Sequence, residues 1–82
     1  MAFQEATYDE ENDVLYIQFS EAEVEHTVAL DDLRLVDYDA SKGPVGVEFM
    51  GASQGLDVSD VPYSDQIAAI LARNGLDFAI FA

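Results

Sequence analysis

The chain is expected to fold as an α+β domain: an antiparallel β-meander of about five strands followed by one C-terminal helix and a short apolar tail. Three observations predict this. Short segments rich in β-branched and aromatic residues recur as far as Met50, separated by acidic or glycine-containing turns. The apolar period then switches from two to helical spacing at Ser64. Finally, the segment Leu76 to Ala82 carries Phe78, Ile80 and Phe81 close together.

Each element follows from its side chains. Phe3 to Tyr8 alternates as a first strand, and the acidic turn Asp9–Asp13 follows it. In the second strand Leu15, Ile17 and Phe19 share one face while Val14, Tyr16 and Gln18 share the other. Both faces are largely apolar, so this strand is expected to be central and covered. Glu23 to Ala29 alternates between Val24, His26 and Val28 on one side and Glu23, Glu25 and Thr27 on the other. That pattern predicts one dry face and one wet face. Leu33 to Tyr38 reads as a fourth strand and Pro44 to Met50 as a fifth, with the donor-less Pro44 at its first residue. Gly51 to Val61 has no clear period and reads as a loop. Ser64 is placed as the N-cap of the helix, and Arg73, Asn74 and Gly75 supply its stop signal.

With 82 residues the chain is one domain, spanning 1–82, with one modest core. Hydrophobic residues make up 50% of it, too many for a disordered acidic tail. Cysteine is absent, which excludes disulfides and thiolate chemistry. No run is long enough to span a bilayer and the N-terminus has no signal-peptide pattern, so a cytoplasmic setting without membrane attachment is expected. Seventeen acids oppose Arg34, Lys42 and Arg73, giving a formal net charge of -14. Such a field repels nucleic acid, so no nucleic-acid partner is expected. It suits either a high-salt host, where counterions screen the repulsion, or a basic protein partner.

The order of several short motifs resembles a known family. Tyr8-Asp9, Asp13-Val14-Leu15-Tyr16-Ile17, Val36-Asp37-Tyr38-Asp39, Gly43-Pro44-Val45-Gly46-Val47-Glu48-Phe49 and Ala52-Ser53 are similar to the pattern of domain of unknown function 2283. Val47 and Phe49 stand where that pattern favours isoleucine. The likeness runs from about Tyr8 to Leu56. It implies a β-meander with a C-terminal helix and brings no catalytic residues. Some members are encoded beside small toxin-like proteins, so the resemblance also suggests an antitoxin-like role.

The acidic turn from Asp9 fails as a calcium loop, since Val14 and Ser20 stand where glycine and glutamate are needed. The stretch from Asp37 comes closer, but Lys42 occupies the glycine place and Glu48 lies in a strand pattern, so a hairpin is the better reading. His26 is the only histidine, and without further nitrogen or sulfur ligands it reads as structural. Glu48, His26 and Tyr16 are the pocket candidates, Glu48 being either an ordinary strand residue or a carboxylate partnered by Arg34 or Tyr16. No catalytic, cofactor-binding or metal-binding residue is expected. The enzyme or small-ligand alternative would place a pocket at a dimer seam.

Ile67, Ile70 and Leu71 lie along one side of the helix, with Ala68, Ala69 and Ala72 on the other. A helix apolar nearly all round is usually buried on more than one side. Ile67, Ile70, Leu71, Phe78, Ile80 and Phe81 are therefore the candidate interface of a two-fold homodimer. The alternative is a tail folded back within the chain as an extra strand. The expected function is a non-enzymatic protein-interaction module.

Overall fold

In a computed structural model, which describes residues 4–82, five strands form one antiparallel sheet and a short helix packs on one of its faces. The strands are β1 (Glu5–Asp9), β2 (Val14–Gln18), β3 (His26–Asp31), β4 (Arg34–Tyr38) and β5 (Pro44–Met50). Their order across the sheet is β1-β2-β5-β4-β3. The α+β class read from the sequence holds. The strands do not simply add in succession, because β3 crosses to the far edge and β4 and β5 return toward β2. That return gives β2, the most apolar early strand, two neighbours. Phe3, assigned above to the first strand, lies outside the described residues.

Alternation sorts the side chains into a covered face and an open one. Ala6, Leu15, Ile17, Phe19, Val36, Val45, Val47 and Phe49 are buried. The register places Leu15 beside Phe49 and Ile17 beside both Ala6 and Val47, so these residues stack across neighbouring strands. On the other face Val14, Tyr16 and Gln18 remain half-exposed. The expectation that β2 is covered on both faces is thus corrected: it is central, but only one layer lies against it. β3 departs further, for every residue in it except Leu30 is exposed, on both faces. Its one valine, Val28, is left uncovered by the helix, which lies against β1 at the opposite edge.

The segment after β5 is more structured than its lack of period suggests. Ala52–Gln54 forms a 3₁₀ turn, and Leu56–Asp57 forms β6, which pairs in parallel with β7 (Ile80–Phe81). The amide of Leu56 donates to the carbonyl of Ala79 at 2.7 Å, and that of Val58 donates to Phe81 at 2.8 Å. The tail therefore folds back within the chain as a strand, the alternative to an extended dimer contact.

Helix α1 covers Ile67–Arg73 and is preceded by a 3₁₀ turn, Ser64–Gln66, entered from Tyr63 in the left-handed region at φ 55°. Ser64 lies inside that turn and makes no side-chain cap, which corrects its placement as N-cap. The stop signal is as read. Gly75 adopts φ 70°, its amide donates to Ala72, and the amide of Leu76 reaches back to Leu71 at 2.9 Å. These two bonds make a Schellman turn, which a Cβ at Gly75 would strain. The helix buries Ile67, Ile70 and Leu71 in the sheet's core and leaves Ala68, Ala69 and Ala72 to solvent. Burying each of the three contributes about 1.5–3 kcal/mol.

Candidate functional site

A concavity opens where the β3–β4 turn, the end of β5 and the β6–β7 pair meet. Its volume is about 380 Å³. Leu33, Phe49, Met50 and Phe81 supply the apolar wall, Gly51 and Gly55 the backbone floor, and Asp31 and Asp57 a charged rim. The Phe81 ring lies so close to Gly55 that a Cβ there would stand 2.9 Å from it. Leu33 and Phe81 are each more than half exposed.

Arg34 holds this end together. It projects on the covered face with Val36 and Tyr38, and is the one buried charged residue among the described residues. Its Nε and Nη2 donate to Asp31 Oδ2 at 3.0 and 2.8 Å, while Nη1 donates to the carbonyls of Asp57 and Ser59 at 3.0 and 2.6 Å. This fork ties β4 to the end of β6 and the segment after it. The guanidinium holds the Asp31 carboxyl below the usual range. Asp57 is also lowered, chiefly by the Ser59 hydroxyl that donates to it at 2.6 Å. With Asp31 and Asp57 both anionic around one committed cation, the rim favours neutral or cationic groups.

A second cluster lies on the open face. Tyr16 donates to Asp37 Oδ2 at 2.9 Å, and Thr27 donates to Asp37 Oδ1 at 2.5 Å. The Tyr16 hydroxyl passes over Gly46 so closely that a Cβ there would be 2.3 Å from it. Partial burial, followed by the hydrogen bond to Asp37 and then the Asp37 and Glu48 charges, pushes the Tyr16 phenol well up, so it stays a neutral donor. A third cluster joins the β1–β2 turn to the 3₁₀ turn. Asp13 accepts from Tyr8 at 2.6 Å, from the Ser53 amide at 2.8 Å and from the Ser53 hydroxyl at 2.6 Å. These bonds lower its carboxyl, Ser53 contributing most, and Asp13 in turn raises the Tyr8 phenol to about 12.

The three pocket candidates do not converge. Tyr16 and Glu48 are cross-strand neighbours on the open face, whereas His26 pairs in register with Tyr38 on the opposite face. His26 is exposed, stacks on Tyr38 with ring centroids 5.3 Å apart, and places Nδ1 2.8 Å from Glu25. Glu48 is half-buried, and Tyr16 donates to Asp37 rather than to it. Neither Arg34 nor Tyr16 is its partner, since Arg34 is turned to the other side. None of the three lines the apical cleft. The acidic turns are hairpin connections: Asp9 accepts from Asn12, and Asp39 accepts from the amides of Ser41 and Gly43. No group of three or more metal-ligating side chains occurs among the described residues.

The candidate interface is divided as well. Ile67, Ile70 and Leu71 face inward and offer nothing to a partner. Their surface was overestimated because the helix is short and its outer face is alanine, which needs no cover. Phe78 is half-buried edge-on against Tyr8, with ring centroids 4.8 Å apart. Ile80 and Phe81 alone keep substantial exposure. The Arg34 clamp and the cleft were not foreseen. A signal existed: a cation at Arg34, in phase with Val36 and Tyr38, had to find acceptors under the sheet.

In comparisons with known proteins, the model of the family described as protein of unknown function (DUF2283) matches residues 6–53, more than half of the chain. No curated protein and no solved structure matches it. No helix among the described residues is long and apolar enough to cross a membrane.

Proposed function

We propose a function for a chain that belongs to the DUF2283 family: it is a non-enzymatic protein-interaction module for a basic protein partner, in the manner of an antitoxin. Its proposed setting is the cytoplasm. The observation that carries this reading is the apical cleft, whose apolar wall of Leu33, Met50 and Phe81 is rimmed by Asp31 and Asp57. An apolar side chain of the partner fits the wall, and a flanking lysine or arginine meets the rim. The wider field, from a net charge of -14, steers a cationic partner toward the surface and repels anionic ones. The acids with hydrogen-bonded environments serve the fold: Asp13 joins two turns, and Asp31 holds Arg34.

Affinity capture from the native host, with wild type and Phe81→Asp as parallel baits, tests the proposal. A basic protein retained by wild type at low salt, released at high salt and lost with Phe81→Asp is the expected result. Recovery of no stoichiometric basic partner at any salt overturns it. Self-association through the same end is the second reading, favoured by the joint exposure of Leu33 and Phe81 beside one cleft. Light scattering behind size exclusion decides it: a monomer mass at micromolar concentration removes the dimer.

A further inference from the structure

We propose that the outer edge of β3 is a strand-addition site for an extended, lysine- or arginine-bearing segment of the partner. This rests on the basic-partner reading above and names the conformation in which such a partner binds.

β3 ends the sheet, so among the described residues one side of its backbone has no strand beside it. Proteins ordinarily blunt such an edge with lysine, proline, bulges or a covering element. Here His26-Thr27-Val28-Ala29-Leu30-Asp31 contains neither lysine nor proline, and its one irregularity falls at the far end, between Ala29 and Asp31. The helix lies over the other edge. Val28 within the strand is 43% exposed and Val24, two residues before it, is 44% exposed, which leaves apolar surface for side chains of an added strand.

The charge pattern selects the occupant. Glu21, Glu23 and Glu25 precede the strand, Asp31 ends it and Asp32 follows, and all five are exposed. The nearby Arg34 is turned inward onto Asp31. A second copy of this chain is disfavoured: a two-fold pairing centred on Val28 sets Glu25 of each copy against Asp31 of the other, and like charges directly opposite destabilise a ladder. A cationic strand meets the same acids with opposite sign. The edge is thus protected against itself and open to a basic segment, with main-chain hydrogen bonds supplying affinity and the flanking acids selecting charge.

The test is an amide-resolved NMR titration of the full chain at low salt with a blocked peptide of alternating lysine and valine, about six residues long. Two controls accompany it: the same peptide methylated on alternate backbone nitrogens, and a glutamate–valine peptide. The expected result is binding of the lysine peptide with shifts concentrated on Glu25–Asp31 and on β4. Loss of two or so ladder hydrogen bonds should weaken the methylated peptide by roughly tenfold, and the glutamate peptide should not bind. Val28→Lys, at an exposed position, should weaken the lysine peptide while leaving the fold's spectrum intact. Equal affinity of the methylated peptide, or shifts centred on Leu33 and Phe81, overturns strand addition and leaves the basic-partner reading standing. Equal affinity of the glutamate peptide, or no binding of either charge, overturns strand addition and counts against the basic-partner reading, which the capture experiment decides separately.

Discussion

The two edges of the sheet are built from similar short strands and meet opposite fates. At the β1 edge, Ala6 is buried, Tyr8 packs edge-on against Phe78, and the helix lies alongside. At the β3 edge, Val28 is paired with the buried Val36 on the core side of the sheet and yet stays exposed, and Val24 just before the strand is exposed too. The covering layer is too small to serve both. A helix of seven residues, about 10 Å long, spans only two or three strand spacings. The difference teaches that coverage, and not strand composition, decides which edge is closed and which is offered.

The largest test of that contrast is a pair of truncations. Ile70→Ala, under the covered side, should cost about 2–5 kcal/mol by denaturant unfolding, since it empties a fully buried site. Val28→Ala, at the bare edge, should stay within about 0.5 kcal/mol. If the two losses are comparable, the edges are not physically distinct.

A smaller effect is expected on the open face. Gly46→Ala would drive a Cβ into the Tyr16 hydroxyl and 2.8 Å from the Ile17 carbonyl, displacing the Tyr16–Asp37 bond. The expected cost is about 1–3 kcal/mol. In a Tyr16→Ala background the same change should cost less, a coupling that a double-mutant cycle reads directly.

The smallest effect is in acid, at the Asp13 junction on the covered side. Hydrogen bonds from Ser53 and Tyr8 hold the Asp13 carboxyl below its ordinary value in the folded state. Its contribution is therefore complete above the unfolded carboxylate pKa of about 4 and lost as pH falls through the lower folded value. The stability gap between wild type and Asp13→Asn should narrow from about pH 5 downward. The gap is the proper readout, because acid also relieves repulsion among the other acids. A pH-independent gap would show that Asp13 acts through packing alone.

Local rules carried far into this fold and stopped at identifiable points. Alternation located β2, β4 and β5, and the Arg73-Asn74-Gly75 stop signal fixed the helix end, because each depends on residues within a few positions. The β2–β5 pairing was hidden, since nothing local says which apolar strand becomes a neighbour. The β6–β7 clasp was hidden for a stronger reason: two short segments with no period of their own are defined only by each other. The alternation Val24, His26, Val28 around the start of β3 predicts a dry face, yet alternation reports which residues share a face and not whether anything covers it. The cleft is the same case, assembled from turns and chain segments that only the folded chain brings together.

Turning Arg34 inward has a practical corollary. Of three basic side chains, Lys42 and Arg73 are left to face water, and Lys42 is the sole lysine. It sits in the β4–β5 hairpin, the bend that follows Tyr38, whose strand partner is His26. An amine-reactive fluorophore would therefore find one lysine side chain to modify, at the corner where the bare strand begins. The molecule thus carries one lysine side chain on which a reporter can be placed beside the edge assigned to its partner.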